Sequence, residues 1–464
     1  MINSVNLGKV NNIRYCSKPI KSSIKSMPLN SDYKLLSLSF ASSKITNINT
    51  ALTNSDKEKY EFLLNFLKDE KPSENSYGLT PNKQLDALLK NGKLLSKSTS
   101  DNSTTLDNLY DIANNERNWG LNQKNLIKNI LDILSNPRTI TQTFGDIPAL
   151  EKPKILSDLD KEDVVKKNPS LMNVTASGTC AAAAIEVNLA DNYPAEFARW
   201  VSKLSSKNDD LFLNVKLDSL SKNKLDAVTI LDLLEAQKVS FDFDKVKLKI
   251  SLDDNAKFRA QIQDKYWDYG ERNVADVLIQ SAIMQLGSQN TYNSLADIRA
   301  GKFNSNSQGL IEIEKTFVES LVKDKEITSL VYQKIDDNQN LIGYNCSFDM
   351  IQKHITSALD NGNDVIVGYV LTNQTAGRTT SRYYDPANDG APNKVINGHE
   401  ITIVDYKTSS NGKVTFICID TDDDNNNYVE YSADWLLPKL HHAGYPAYLV
   451  EEDEKLISAN SMVA

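Results

Sequence analysis

The stretch "HEITIVDYKTSSNGKVTFICID", residues 399 to 420, limits the fold more than any other part of this 464-residue chain. Two runs of alternating apolar and polar residues flank an Asn-Gly turn, the pattern of an antiparallel hairpin. An amphipathic helix, "SFDMIQKHITSALDNG", and an apolar run, "DVIVGYVL", precede it. A helix followed by neighbouring strands predicts an antiparallel sheet with helices packed against it. A short helix at "SADWLLPKLHH" and a closing strand at "AYLVEE" complete the expected carboxyl-terminal unit.

Upstream the rhythm is helical. "SDKEKYEFLLNFLKDE" reads as a helix capped by Ser55, with Glu58 three residues on. "PNKQLDALLKNGKLL" and "NQKNLIKNILDILSNP" are amphipathic and end in Asn-Gly and Asn-Pro. Residues 1–50, rich in Ser, Asn and Lys, read as a poorly ordered leader, and residues 51–150 as a helical N-terminal domain standing where a propeptide would. A Pro-containing connector, "FGDIPALEKPKILSDLDKED", leads to a second unit at 165–455. That unit holds the helices "CAAAAIEVNLA" and "PAEFARWVSKL", and a helical insertion around 207–330: "KLDAVTILDLLEAQK", "NVADVLIQSAIMQLG" and "GLIEIEKTFVESLV", with a strand at "VKLKISL".

The charge balance, 61 acidic against 52 basic residues, and the lack of a basic stripe with interleaved aromatics argue against nucleic acid. No apolar run approaches the roughly 20 residues a membrane span needs. The amino end has no apolar signal core, so a cytoplasmic protein, or one exported without a signal peptide, is expected. The Asn- and Lys-rich composition points to an AT-rich, bacterial source. Cys16, Cys180, Cys346 and Cys418 show neither disulfide nor zinc-site spacing, so no metal and no cofactor is expected.

Cys180 stands out because "ASGT" brings it to the start of a helix. The free N–H groups of a first turn favour a thiolate, the form that attacks carbonyls. Cys346 and Cys418 read as core residues. Of four histidines, His354 lies within a helix, and His441 and His442 read as solvated residues at a helix end. His399 opens a strand, at the edge where catalytic groups are displayed. Asp420 ends the antiparallel partner strand and becomes its cross-strand neighbour when the hairpin closes, with Asp422 in reserve should the register shift. "DTDDDNNN" (420 to 427) fails as a calcium loop, with Asn and Ala where an EF-hand needs Gly and Glu.

Cysteine opening a helix in "SGTCAAAA", histidine opening a strand in "NGHEITIVDY" and a polar residue ending the next in "FICID" resemble the papain-like cysteine peptidase superfamily. "FDMIQKHITSALDNGNDVIVGYV" is similar to the helix and strand that bacterial members, including those near the bacteriocin-processing type, place before the histidine. Residues 270–320 resemble the calpain-type insertion. The resemblance implies a papain-like α+β fold, a helical subdomain plus an antiparallel sheet, and a thiol hydrolase cutting peptide or isopeptide bonds with Cys180, His399 and Asp420. Protein or peptide would then be the substrate. Val174 occupies the position where the family often has an oxyanion-hole glutamine, which makes Asn173 the nearest amide for that role. Two other readings stay open: a transglutaminase-like or deamidating acyl transferase with the same triad, and a binding protein on a degenerate peptidase fold.

Overall fold

A computed structural model describes residues 51–143, 178–216, 238–242, 245–253, 255–266, 271–288, 290–294, 297–299, 309–372, 393–422, 428–451 and 453. The leader, the connector, Asn173, the helix expected at 224 to 238 and the segment 423–427 lie outside these residues. The chain is of mixed α+β type, with helices packed on antiparallel sheets.

Four amphipathic helices come first: α1 (Asn54–Phe66), α2 (Pro81–Lys90), α3 (Thr105–Asn114) and α4 (Gln123–Ser135). The cap of α1 is Thr53 rather than Ser55. Its hydroxyl accepts from the Asp56 N–H at 3.2 Å and the Asp56 carboxylate returns a bond to the Thr53 N–H, so the capping box lies two residues upstream of the expected one. Helices α5 (Cys180–Asn192) and α6 (Pro194–Ser205) follow. α5 is buried on all sides from Cys180 to Ala190, which its alanines permit by letting neighbouring backbones come close.

A small sheet of β1 (Leu211–Lys216), β2 (Lys238–Asp242) and β3 (Lys245–Ile250) precedes α7 (Ala256–Tyr266) and α8 (Val274–Gly287). After the short pair β4 (Tyr292–Asn293) and β5 (Ile298–Arg299) comes α9 (Glu312–Lys323). The main sheet has six antiparallel strands in the order β12-β11-β10-β9-β13-β6: β6 (Ile327–Val331), β9 (Val365–Thr372), β10 (Val395–Thr408), β11 (Val414–Ile419), β12 (Tyr428–Ser432) and β13 (Leu440–Pro446). The ribbon β7 (Gln333–Ile335) and β8 (Leu341–Tyr344) leads into α10 (Phe348–Asp360).

The hairpin expected at "SSNG" forms between β10 and β11. Gly412 takes φ +81° in its turn, a conformation that suits glycine. The sheet end differs from expectation. Residues 447 to 451 are helical rather than a strand, and the last strand is β13, which carries His441 and His442. The short helix α11 (Ala433–Leu436) and a 3₁₀ turn stop at Lys439, so neither histidine caps a helix and both are buried. Pro438 sits within that 3₁₀ turn, and Leu440 starts the pairing with Tyr369.

One continuous core runs from Leu63, Leu109 and Ile130 of the N-terminal helices through Val187, Trp200 and Val277 to Ile366 and Ile419 of the main sheet. Polar ties reinforce it: Ser202 Oγ donates to Asp111 at 2.6 Å, and the Arg117 guanidinium donates to the Ser202 carbonyl at 3.1 Å. A second core lies on the other face of the sheet, built from Ile401, Ile403, Cys418, Ile355 and Tyr445.

Candidate active site

Cys180 occupies the first turn of α5. The Ala183 N–H to Thr179 carbonyl bond, 2.8 Å, is the first of that helix, so the Cys180, Ala181 and Ala182 N–H groups precede the intrahelical ladder. Thr179 is fixed from below: its hydroxyl donates to Gln280 Oε1 at 3.0 Å and accepts from the Arg272 guanidinium. Arg272 in turn pairs with the buried Asp297 at 3.2 Å. A buried polar frame, rather than a side-chain cap, therefore sets where the thiol sits.

Strand β10 carries His399 opposite Tyr369 of β9, whose ring meets the imidazole edge-on with centroids 5.6 Å apart. Thr402 pairs with Ile419, so Asp420 lies just past the last paired residue, diagonal to His399 and on its face. His399 Nε2 lies 2.6 Å from Asp420 Oδ1. The ring also hydrogen-bonds Cys180. With Nε2 committed to the carboxylate, Nδ1 is the nitrogen left to face the thiol.

Burial works against a charged His399, but the Asp420 carboxylate, the hydrogen bond to it and the interaction with Cys180 outweigh burial and hold the imidazole well above its ordinary pKa. Asp420 mirrors this. Burial would raise it, yet the His399 charge, the Asp422 N–H at 3.2 Å and the Tyr431 hydroxyl at 3.3 Å keep it below the usual carboxylate range. Cys180 is 1% exposed and His399 6%. In so dry a setting neither charge is tolerable alone, so thiolate, imidazolium and carboxylate are expected to ionise together. Tyr369, which lies against the imidazole, also meets Trp435 edge-on, and Trp435 stacks on Tyr431 with centroids 4.3 Å apart.

The structure thus brings together Cys180, His399 and Asp420. The Asp422 carboxylate accepts from Gln142 Nε2 at 2.9 Å. Asn173 lies outside the described residues. Burial and the Asp453 charge push the Cys346 thiol up to about 11, and burial followed by Asp420 raises Cys418 well above its ordinary value; Cys418 lies in the core as expected, whereas Cys346 is only half-buried against it.

Sequence reading missed the strap at Thr141–Thr143. The Thr141 hydroxyl and the Gln142 N–H both donate to the Thr421 carbonyl, at 3.1 and 3.0 Å. The Arg272 N–H donates to the Thr143 carbonyl at 2.7 Å, and Gln280 Nε2 to the Thr141 carbonyl at 2.9 Å. A tail of the helical region thereby links the base of α5 to the strand end bearing Asp420. The run "TITQT" has no periodicity that would have disclosed this.

A scan against protein-family models finds no match, and neither does a search of curated proteins. Among the described residues no helix is long and apolar enough to cross a membrane.

Proposed function

We propose that the protein is a cysteine peptidase of papain-like fold, hydrolysing peptide or isopeptide bonds. The observation that carries this reading is the 2.6 Å contact between His399 Nε2 and Asp420 Oδ1, which leaves the other ring nitrogen to Cys180 at a helix start. Those are the roles a thiol nucleophile, its base and the group orienting that base require.

In the reaction proposed, Cys180 Sγ attacks the carbonyl carbon while the Cys180 N–H stabilises the oxyanion, a contribution of roughly 3 kcal/mol per donor. Asn173 is the proposed second donor. His399 gives its Nδ1 proton to the leaving amine as the tetrahedral intermediate collapses to a thioester. It then takes a proton from water, whose oxygen attacks the thioester and releases the acid and the Cys180 thiolate.

The test is incubation with a mixed peptide library, reading new amino termini by mass spectrometry for wild type and Cys180→Ser. Cleavage present in wild type and absent in the variant supports hydrolysis. Incorporation of a supplied primary amine in place of cleavage would replace it with acyl transfer, and neither outcome, with an unreactive Cys180, with the degenerate-fold reading.

A further inference from the structure

A second cluster lies one residue along β10 from the catalytic histidine and points the other way. Glu400 shares its side of the sheet with Thr402, whose hydroxyl donates to the Ala184 carbonyl of α5 at 3.2 Å. Across the sheet the row runs Glu400, Gly368, His442. Gly368 is what allows the outer two to meet: a Cβ there would lie 2.7 Å from Glu400 Oε1 and 2.8 Å from His442 Nδ1. His442 Nε2 lies 2.9 Å from Glu400 Oε1, and Lys315 of α9 lies 3.6 Å from Glu400 Oε2.

Consecutive residues of a regular strand point to opposite faces, so His441 and His442 should diverge. They do not. The pairing of β13 with β9 steps from Leu440–Tyr369 directly to His442–Gly368, which leaves His441 as the extra residue of a bulge. The bulge turns the His441 ring toward its neighbour, with the two Nδ1 atoms 2.9 Å apart. Glu312, at the start of α9, brings a carboxylate to the same point, and the three donor atoms all lie within 4.8 Å of one another.

From this convergence we propose that Glu312, His441 and His442 form a site for a divalent transition ion of the zinc class, with Glu400 orienting His442. Two imidazole nitrogens and one carboxylate oxygen are a common donor set for such an ion, leaving a fourth position for water. The carboxylate on the far ring nitrogen of a ligating histidine is the usual outer partner, fixing the tautomer that offers Nδ1. Lys315, a cation of the cluster, lies against the second oxygen of Glu400. Both histidines are buried while Glu312 is only half-buried, so the ion would enter past Glu312. Bound there, it would pin α9 to the sheet directly behind His399.

The experiment is a cobalt(II) titration of the full-length Cys180→Ser protein, followed by visible absorption and by competition with zinc. Removing the nucleophile stops the catalytic thiol from contributing a site. One equivalent is expected, with nitrogen and oxygen ligand-field bands, no thiolate charge-transfer band and displacement by zinc. Glu312→Gln and His441→Ala should each weaken binding at least tenfold, and Glu400→Gln about tenfold, while His354→Ala leaves it unchanged. Glu312→Gln alters a half-buried side chain and keeps the test valid should His441→Ala not fold. Absence of saturable binding below about 100 μM, or binding indifferent to Glu312→Gln in folded protein, overturns the proposal. The two readings fail separately: this titration does not use the thiol, and an inert Cys180 would leave the metal site intact.

Discussion

Replacing His399 by alanine should change how Cys180 responds to pH more than it changes anything else. In the mechanism proposed, the imidazole, held above its ordinary pKa chiefly by Asp420 against the pull of burial, is expected to keep a proton near neutrality and to stabilise a thiolate beside it. The ionised fraction of Cys180 should then vary less than about threefold between pH 6 and 8. Without the imidazolium a thiol of ordinary pKa near 8.5 loses about 75-fold in thiolate over the same interval. A thiol pushed up as Cys346 is, to about 11, loses the full 100-fold. Iodoacetamide labelling followed by mass spectrometry of the separate cysteine peptides gives the ratio of rates at pH 6 and 8 for each site. The ratio should be nearly flat for Cys180 in the wild type and steep in His399→Ala, with Cys346 and Cys418 steep in both as internal controls. A wild-type Cys180 as steep as Cys346 would refute the ion pair and with it the proposed mechanism.

Other expectations follow from the same contacts. Asp420→Ala should lower kcat/KM on a cleaved peptide on the order of 10²-fold or more, while Asp422→Ala, which removes the carboxylate that accepts from Gln142, should stay within about tenfold. Asp420 is depressed and His399 raised on folding, so the stability their contact supplies is lost as pH falls below the ordinary carboxylate range and again as pH rises above about 6.5 toward the folded histidine value; urea midpoints across pH for wild type and Asp420→Asn should converge at both extremes. Burial and then the Asp276 charge raise buried Glu186, and burial pushes Asp276 up to about 7, so native protein loses stability as pH rises from 4 to 7; Glu186→Gln should gain over wild type across that window in urea unfolding. Gly368→Ala, whose methyl would press on Glu400 and His442, should lower stability by about 1–3 kcal/mol in chemical denaturation, and an unchanged midpoint would contradict the packing described.

Much of this was open to inspection in the sequence wherever the deciding interactions are local. The β10–β11 hairpin announces itself by alternation and Asn-Gly, and its register follows from the turn, which is why Asp420 could be matched to His399 across 21 residues. The diagonal rather than direct pairing was not legible, because it depends on a shift near Val404. Buried charge was the greater obstacle. α9 presents Glu314, Lys315, Glu319 and Lys323 in a buried setting that a polar count assigns to solvent. Two are answered by groups from other elements, Arg299 at 2.6 Å from Glu314 and Glu400 for Lys315, while Lys323 and Glu319 pair with each other along the helix at 2.6 Å. The same holds for His441 and His442, whose solvated reading failed because Gly368, which makes room for them, lies more than 70 residues upstream.

The strap from Thr141 to Thr143 also bears on when a reactive thiol first exists. Cys180 leaves the ribosome 219 residues before His399, a delay of roughly 10–40 s at ordinary rates of synthesis. The contacts of Thr141 and Gln142 with Thr421 close a span of about 280 residues. Closures that long come late in folding. Through synthesis, then, Cys180 has neither its proposed base nor the frame that steadies Asp420, and a nascent chain is expected to carry an ordinary, unreactive cysteine. Thiol reactivity at low pH would therefore report that α5 and the β10–β11 hairpin have met, and could serve as a clock for the completion of folding.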